Sequence, residues 1–181
     1  MYKTLKYRIY PTKAQVQALE YQLNQARYLY NAALQERRDA WQMQRVSRSY
    51  YDQANQLKHI LAEGNLGLVN HACAQDILRR VDKTFAAFFR RIKAGEKVGY
   101  PRFKSRERFN SFIFPQWGNG CHIIDSRLKL QGIGIIKLKM HRPIFGEIKT
   151  LTLKQECGKW YACFSIVTEV PDSVPSLEAI G

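Results

Sequence analysis

Basic and aromatic side chains alternate along GYPRFKSRERFNSFIFP, which covers residues 99–115. An arginine guanidinium is a planar fork that fits phosphate oxygens, and aromatic rings can stack on unpaired bases. The side chains suited to phosphate are Arg102, Lys104, Arg106 and Arg108. Those suited to base stacking are Tyr100, Phe103 and, just beyond, Trp117. Phe109, Phe112 and Phe114 have spacing close to that of a strand, which favours a place in the core instead.

This stretch belongs to a longer basic run. Between Arg79 and Arg108 there are eleven basic and three acidic residues, a net charge of +8 out of +14 for the 181-residue chain. Other members of this run that are suited to binding a phosphate backbone are Arg79, Lys83 and Arg90. Solvated surfaces usually mix both signs, because like charges repel in the compact state. A merely soluble surface is the alternative, but the excess charge favours a polyanionic partner such as nucleic acid.

Strands and helices must position these residues. Leu5, Tyr7 and Ile9 alternate with Lys6 and Arg8, which predicts a strand with one apolar and one basic face. Apolar residues at steps of three and four then predict helices over 12–45, 50–63 and 69–94, the last beginning near Val69. Thr12 and Gln15 have the spacing of a capping box at the start of the first helix.

The C-terminal part of the chain has the pattern of strands. Candidate strands cover 111–114, 121–124, 127–130, 134–140, 148–154 and 159–168. A lone strand is not stable in water, so we expect residues 1–10 to join this sheet, with the helices inserted between. The predicted fold class is α+β, with a small antiparallel β-barrel of the oligonucleotide-binding type and an inserted three-helix bundle.

Two polar residues near the start of the third helix could read bases. His71 and Gln75 are four residues apart, so they share a helix face beside the apolar stripe. Major-groove readers place their base-contacting side chains near a helix N-terminus, and glutamine can bond to adenine through both amide atoms. An ordinary solvated or capping pair is the alternative interpretation.

Several site classes are not indicated. No run of about 18 apolar residues exists and the start MYKTLKYR lacks an apolar block, so we expect a cytoplasmic protein with no membrane partner. The four cysteines form no CxxC pair, which argues against a zinc site or a disulfide framework and favours reduced, structural thiols. They are Cys73, Cys121, Cys157 and Cys163. No cofactor is expected for this chain.

Four stretches, in order along the chain, carry a family resemblance. They are YRIYPTKAQ at 7–15, ARYLYNAAL at 26–34, FFRRIKAGEKVGYPRFKSR at 88–106 and LTLKQECGKWYACFSI at 151–166. Together they resemble the N-terminal half of TnpB, the transposon-encoded RNA-guided DNA nuclease family related to type V CRISPR effectors. The third stretch is the specific one.

The resemblance implies an organisation and a set of partners. A wedge-type β-barrel would comprise residues 1–10 and 111–170, a helical recognition domain 11–110, and a linker 171–181 toward a RuvC-like nuclease domain. The implied partners are a structured guide RNA and double-stranded target DNA, in a prokaryotic cell and at the nucleoid when bound to DNA. Base pairing by the guide would supply most of the sequence specificity.

The resemblance also implies roles for particular residues. Tyr51, His71 and Gln75 match positions that read the target-adjacent DNA motif, with His71 standing where the family often has lysine. Residues expected to face the RNA scaffold or the guide–target duplex are Lys3, Lys6, Arg8, Arg79, Lys83, Arg90, Arg102, Lys104, Arg106 and Arg108.

Cleavage is not expected of this chain alone. Family members cut DNA with three acidic residues that hold divalent metal ions, and residues 1–181 show no such set. Mg²⁺ would be needed only in the missing nuclease domain, acting in cis or in trans. The alternatives are a nuclease-dead DNA-binding regulator, one part of a split nuclease, or a generic RNA-binding protein.

Overall fold

A computed structural model describes residues 1–64, 66–68 and 70–168. Within these ranges the elements are β1 Tyr2–Tyr10, α1 Lys13–Gln44, α2 Tyr50–Ala62, α3 His71–Lys93, β2 Ser111–Phe114, β3 Cys121–Ile124, β4 Arg127–Leu130, β5 Gly134–Lys139, β6 Glu147–Glu156 and β7 Lys159–Val167. The predicted linker at 171–181 and the predicted first helical residue Val69 lie outside the described residues. The other predicted bounds agree with the structure to within two residues.

Local side-chain hydrogen bonds set the starts of the first two helices. Before α1, the Thr12 hydroxyl accepts from the Gln15 amide at 3.3 Å, and the Gln15 side chain accepts from the Thr12 amide at 3.0 Å. The predicted capping box is therefore confirmed. Ser49 and Asp52 form the same reciprocal pair before α2. Each pair satisfies backbone amides that have no partner inside the helix.

The strands form one antiparallel sheet in the order β2-β6-β7-β1-β5-β4-β3. The first strand lies between β7 and β5, with Leu5 opposite Phe164 and Ile9 opposite Leu138. The expectation that residues 1–10 join the C-terminal sheet is therefore confirmed. Since the inner side chains of these strands are buried while alternate residues face outward, the period-two pattern of β1 correctly identifies its two faces.

The sheet curls into a half-barrel, and its order is open at β2 and β3 instead of closing on itself. Both edge strands have only four residues, so each offers a short row of backbone groups for pairing. Helices α1 and α3 pack against β2. The molecule is α+β, as predicted.

Helices and sheet share one continuous apolar core. Tyr7, Leu151 and Phe164 from the sheet belong to the same buried cluster as Leu19 of α1 and Ile77 of α3. Phe109, Phe112 and Phe114 are buried as well, so they belong to the core and not to an exposed stacking surface. In the part of the chain that the structure describes, no helix combines the length and the apolar character needed to cross a membrane.

Candidate nucleic-acid interface

The basic segment, residues 98–110, crosses helix α1 without regular structure apart from one 3-10 turn. Asn31 of α1 holds its middle, donating to the Lys104 carbonyl at 3.0 Å and accepting from the Lys104 amide at 2.9 Å. Nearby, an Arg106 guanidinium nitrogen lies 3.7 Å from a Glu20 carboxylate oxygen. The segment is therefore fixed on the helix bundle, while Arg102 and Arg108 remain exposed.

Aromatic residues anchor both ends of the basic segment. At its start, the Tyr100 ring meets Phe85 and Phe88 edge-on, with ring centres 5.7 and 5.4 Å apart. Phe109 is buried at the other end, 5.9 Å from the Tyr30 ring. Of the three predicted stacking residues, Tyr100 and Phe103 keep exposed surface. The third, Trp117, is half-buried and packs edge-on against Phe164, so it contributes to the core.

One face of α3 carries the α3 row, the residues that recur at steps of four and three along its outer side. The row consists of His71, Gln75, Arg79, Lys83, Ala86, Arg90 and Lys93. Residues at such steps lie one above another on a helix surface. All are exposed except Gln75, which is half-buried. The candidate base readers His71 and Gln75 are therefore aligned with the candidate phosphate-binding side chains Arg79, Lys83 and Arg90.

The N-terminus of α2 lies beside this row. The Arg79 guanidinium stacks over the Tyr50 ring at 5.3 Å, a cation–π contact between α3 and α2. Tyr51, the next residue, is 75% exposed and meets Tyr50 edge-on at 5.4 Å. Because Tyr51 directly follows Tyr50, this contact places the backbone of Tyr51 near Arg79 in the α3 row. The sequence reasoning did not include Tyr50, although the pair of tyrosines in SYYDQ is a visible signal.

The acidic residues of the basic run are all engaged. Asp82 pairs with Arg37 at 3.0 Å, and Glu96 pairs with Arg91 at 2.6 Å. Hydrogen bonds from its own backbone amide and from Ser105 hold the pKa of the Glu107 carboxyl below its ordinary value. Among the described residues, the cations of the run without a carboxylate partner are Arg79, Lys83, Arg90, Lys93, Lys97, Arg102, Lys104 and Arg108.

Two cavities lie between helix α3 and the basic segment. One, of about 390 Å³, lies between Lys83, Phe88 and Arg91 of α3 and residues 98–101. The other, of about 200 Å³, is bordered by Arg80, Lys104 and Arg108. Arg80 is held there by Asp76 and by the Ser111 carbonyl, both at 2.9 Å. Of the cations without a carboxylate partner among the described residues, Lys83 lines the first cavity, and Lys104 and Arg108 line the second.

Two basic residues of β1, Lys6 and Arg8, lie elsewhere, on the outer face of the sheet. Lys6 and Arg8 line a cavity of about 420 Å³ with Tyr10, Lys139, His141 and Tyr161. The Lys6 ammonium lies 4.2 Å from the Tyr161 ring centre and also pairs with Glu156. Lys3 is exposed on the opposite face of β1, because side chains alternate along a strand.

Neighbouring strands extend this outer cationic face in a way that sequence reasoning missed. Arg8 is opposite Lys139 and Tyr10 is opposite Lys137, while Lys137 is opposite Arg127 on the next strand. A signal was available, since basic residues alternate with apolar ones in both β4 and β5. Pairing of three strands, which one-dimensional patterns do not specify, brings these residues together.

No metal centre is visible in the described ranges. No three histidine, cysteine, aspartate or glutamate side chains there come close enough to hold an ion. Burial raises the pKa of the Cys73 thiol to about 12 and that of Cys121 to about 11, so both stay protonated and are poor ligands. The donors present do not fit a two-metal nuclease centre, and no cleavage step is assigned to these residues.

Comparison with known proteins gives matches in sequence and in fold. The family model for the helix-turn-helix domain of OrfB of IS605 matches residues 1–45, which form β1 and α1. InsQ of Escherichia coli (strain K12), described as a candidate RNA-guided DNA endonuclease, is 32% identical over 108 residues, 59% of this chain and 25% of that protein. A protein of Streptomyces pristinaespiralis with the same description is 26% identical over 184 residues, 93% of this chain and 43% of that protein.

A cryo-EM structure of a Cas12f1–sgRNA–target DNA complex matches the fold with a TM-score of 0.54 at 18% identity, over 94% of this chain and 49% of that chain. The chain is therefore TnpB-like in sequence, and its fold is similar to that of part of Cas12f1. The resemblance seen in the sequence is thereby confirmed. The TnpB-like chain spans between one quarter and one half of the length of the curated relatives it matches.

Proposed function

We propose that the TnpB-like chain binds a structured guide RNA and double-stranded target DNA for an RNA-guided DNA nuclease, without cutting DNA itself. The observation that carries the proposal is the α3 row, in which candidate base readers continue directly into unpaired cations. A helix that reads base edges needs phosphate contacts to fix its register, and phosphate contacts alone carry no sequence information. The row offers both kinds of contact on one rigid element.

In this proposal, Tyr51, His71 and Gln75 read the target-adjacent motif, and Arg79, Lys83 and Arg90 hold the neighbouring phosphates. His71 and Gln75 lie in the first turns of α3. If this end of the helix enters a DNA groove, these two side chains contact the base edges first. Their exposure leaves His71 and Tyr51 free to reach base edges.

The basic segment would bind the RNA. Its basic side chains would neutralise phosphates; they are Arg102, Lys104, Arg106 and Arg108. Asn31 fixes the segment that carries them. Lys6 and Arg8 would add a second RNA contact from the outer face of the sheet, and Lys3 would add one from the other face of β1. The curled sheet, residues 1–10 and 111–170, would act as the wedge domain, and 11–110 as the recognition domain. Residues 171–181 would lead toward a RuvC-like nuclease domain that needs Mg²⁺ and works in cis or in trans.

The relatives support this assignment. Both curated relatives are described as candidate RNA-guided DNA endonucleases. The Cas12f1 structure contains sgRNA and target DNA, and its fold matches almost all of this chain. The unpaired cations of this chain supply the charge that such partners require.

RNA binding is tested by its dependence on salt. RNA that copurifies with the chain from its host is isolated, and its affinity for the purified protein is measured at salt concentrations from 50 to 200 mM. The logarithm of the affinity is plotted against the logarithm of the salt concentration. Each lost phosphate contact should flatten the slope by roughly 0.7 to 0.9. We therefore expect the Lys104→Gln, Arg108→Gln double variant of the basic segment to flatten it by about 1.5. Lys13→Gln is the control, because Lys13 lies 18 residues from Asn31 along α1, about 27 Å away. A slope that is near zero in the wild type would reject the proposal.

DNA reading is tested with a library of duplexes randomised beside a fixed target. The RNA-loaded wild-type protein should retain one short motif. Gln75→Ala should relax the preference at one position, a loss of about 1 to 3 kcal/mol, whereas Arg79→Gln should weaken all sequences evenly. If Gln75→Ala retains the same motif with the same preference, the assignment of Gln75 is wrong.

A further inference from the structure

An aromatic groove lies between the end of α1 and the start of the basic segment. Its lining consists of Arg38, Trp41, Gln42, Tyr100, Pro101, Arg102 and Phe103. The volume of about 490 Å³ is within the roughly 300 to 1,000 Å³ of typical small-ligand sites. Arg38, Trp41 and Gln42 have no role in the interface described above.

The rings around this groove leave space between them. Trp41 is 51% exposed, Phe103 44% and Tyr100 40%. No ring contact joins any two of these three in the described structure, although all three line the groove. Tyr100 is held from behind by Phe85 and Phe88, so it does not collapse into the groove. The Arg45 guanidinium lies 5.7 Å from the centre of the Trp41 ring, and the exposed surface of the three rings remains open to a flat ligand.

The polar lining has one sign of charge. Arg38 and Arg102 bring two guanidinium groups, and no carboxylate lines the groove. Neither arginine has a carboxylate partner among the described residues. Gln42 adds an amide that can donate to and accept from a base edge. Flat apolar faces, an amide and free cations together match the ring, the edge and the phosphate of a nucleotide.

We propose that this groove binds one unpaired RNA nucleotide, a bulged or looped-out base of the bound RNA. The base stacks on Trp41, Gln42 contacts its edge, and Arg38 and Arg102 hold the adjoining phosphates. RNA is the ligand because the groove opens beside the basic segment, and unpaired bases in folded RNA are recognised by aromatic stacking of this kind. The inference rests on the proposed RNA binding and assigns one nucleotide of that RNA.

The test uses the full chain and an RNA hairpin with a single bulged 2-aminopurine, whose fluorescence reports stacking. A fully paired hairpin and a DNA hairpin with the same bulge serve as comparison probes. The wild type should change the fluorescence of the bulged RNA and prefer it to the paired hairpin by about fivefold or more. Trp41→Ala should lose both effects and Trp41→Phe should keep much of them. Tyr28→Ala is the matched control, because Tyr28 is an exposed aromatic of the same helix outside the groove.

Each outcome decides the inference. Equal affinity for bulged and paired RNA, or a fluorescence change that survives Trp41→Ala, overturns it, while salt-dependent RNA binding leaves the proposed function standing. A response to the DNA hairpin alone overturns the choice of RNA. Failure of the wild type to bind any RNA overturns both proposals. Far-ultraviolet circular dichroism of Trp41→Ala shows whether the fold is kept, which is expected for a side chain half exposed to solvent.

Discussion

The Asn31 carboxamide holds the backbone of Lys104 at both polar groups, with N···O distances of 3.0 and 2.9 Å. These two residues are separated by 73 positions in sequence. A single amide side chain here replaces the pairing that a strand partner would give an extended segment. Asn31, a residue that carries no charge, therefore fixes the middle of the basic segment on α1.

Asn31→Ala should loosen the basic segment without unfolding the protein. Both Lys104 backbone groups lose their partner, at a cost of about 1 to 3 kcal/mol per group when buried and less here, where water can reach them. We expect faster trypsin cleavage after Arg102 to Arg108 and several-fold weaker RNA binding. Gln35→Ala is the control, since Gln35 is exposed on the same helix and donates to Asp39 at 2.6 Å. Equal cleavage rates in both variants would show that Asn31 does not hold the segment.

Arg37→Met tests the polar contacts inside the helix bundle. Arg37 is 7% exposed, donates to Gln53 at 2.9 Å and to Asp82 at 3.0 Å, and packs over the Phe85 ring. The substitution leaves the Gln53 oxygen without this donor, while the half-exposed Asp82 can rehydrate. We expect a loss of about 1 to 3 kcal/mol in urea unfolding, below the range for a fully buried pair.

The neighbouring residue supplies the control for this stability experiment. Arg38→Ala removes the same charge from an exposed position, so its free energy of unfolding should stay within about 0.5 kcal/mol of wild type. An equal loss in both variants would mean that net charge, and not the buried contacts of Arg37, decides stability here.

Local signals in the sequence were sufficient for the elements. Thr12 and Gln15 mark the start of α1, and the alternation around Tyr7 identifies β1 together with its buried face. These features depend on residues only a few positions apart, where backbone geometry leaves few options. The alignment of His71 and Gln75 with Arg79 was accessible for the same reason, because i,i+4 neighbours share a helix face.

Contacts between distant residues were not accessible from these patterns. Trp117 looked suited to base stacking, but its packing on Phe164 depends on where the loop after β2 meets the sheet. The groove beside Trp41 forms where residues 99–103 cross the end of α1. Asn31, in another turn of the same helix, fixes the basic segment that contains these residues. Composition shows that such aromatics are present, whereas tertiary structure decides which of them face solvent.

The cysteines should differ sharply in reactivity. Thiolate is the nucleophilic form, and burial raises the pKa of Cys73 to about 12 and of Cys121 to about 11. Cys157 is exposed in the turn between β6 and β7. Iodoacetamide at pH 8 should therefore modify Cys157 first and leave Cys73 and Cys121 unmodified until urea unfolds the chain. Peptide mass spectrometry gives the order, and early labelling of Cys73 would contradict the burial of that thiol.

The capping box of α2 should contribute to stability in a pH-dependent way. Hydrogen bonds from the Ser49 amide and hydroxyl, at 2.7 and 2.8 Å, lower the pKa of the Asp52 carboxyl below its ordinary 3.8. A lowered folded-state pKa means that the carboxylate stabilises the fold above the ordinary value and loses this effect as the pH falls through the folded one. Wild type should therefore exceed Asp52→Asn in urea stability at pH 7, and the gap should begin to narrow as the pH falls below about 4. A constant gap down to pH 3 would contradict this linkage.

Asn70 links the N-terminus of α3 to the sheet. Its side-chain oxygen accepts from the Cys73 amide at 3.1 Å, which caps the helix. Its amide nitrogen donates to Gln131 at 3.0 Å and to the Asn119 carbonyl at 3.3 Å. Gly120, with φ of +80°, makes room for this contact, because a Cβ there would lie 2.6 Å from the Asn70 nitrogen. The first residues of the α3 row are thereby held against the loops beside β3 and β4.

Asn70→Asp separates the two roles of this side chain. The carboxylate still caps α3 and suits the positive end of the helix dipole, but it faces the Gln131 and Asn119 oxygens, which cannot donate to it. We expect near-normal helix content together with a weakened motif preference in the duplex library, because His71 and Gln75 shift with the helix start. Thr12→Ala is the matched control: it loses a cap worth about 1 kcal/mol at α1 and should leave the motif preference intact. If Asn70→Asp selects the wild-type motif with the same preference, docking of α3 on the sheet does not position its base readers.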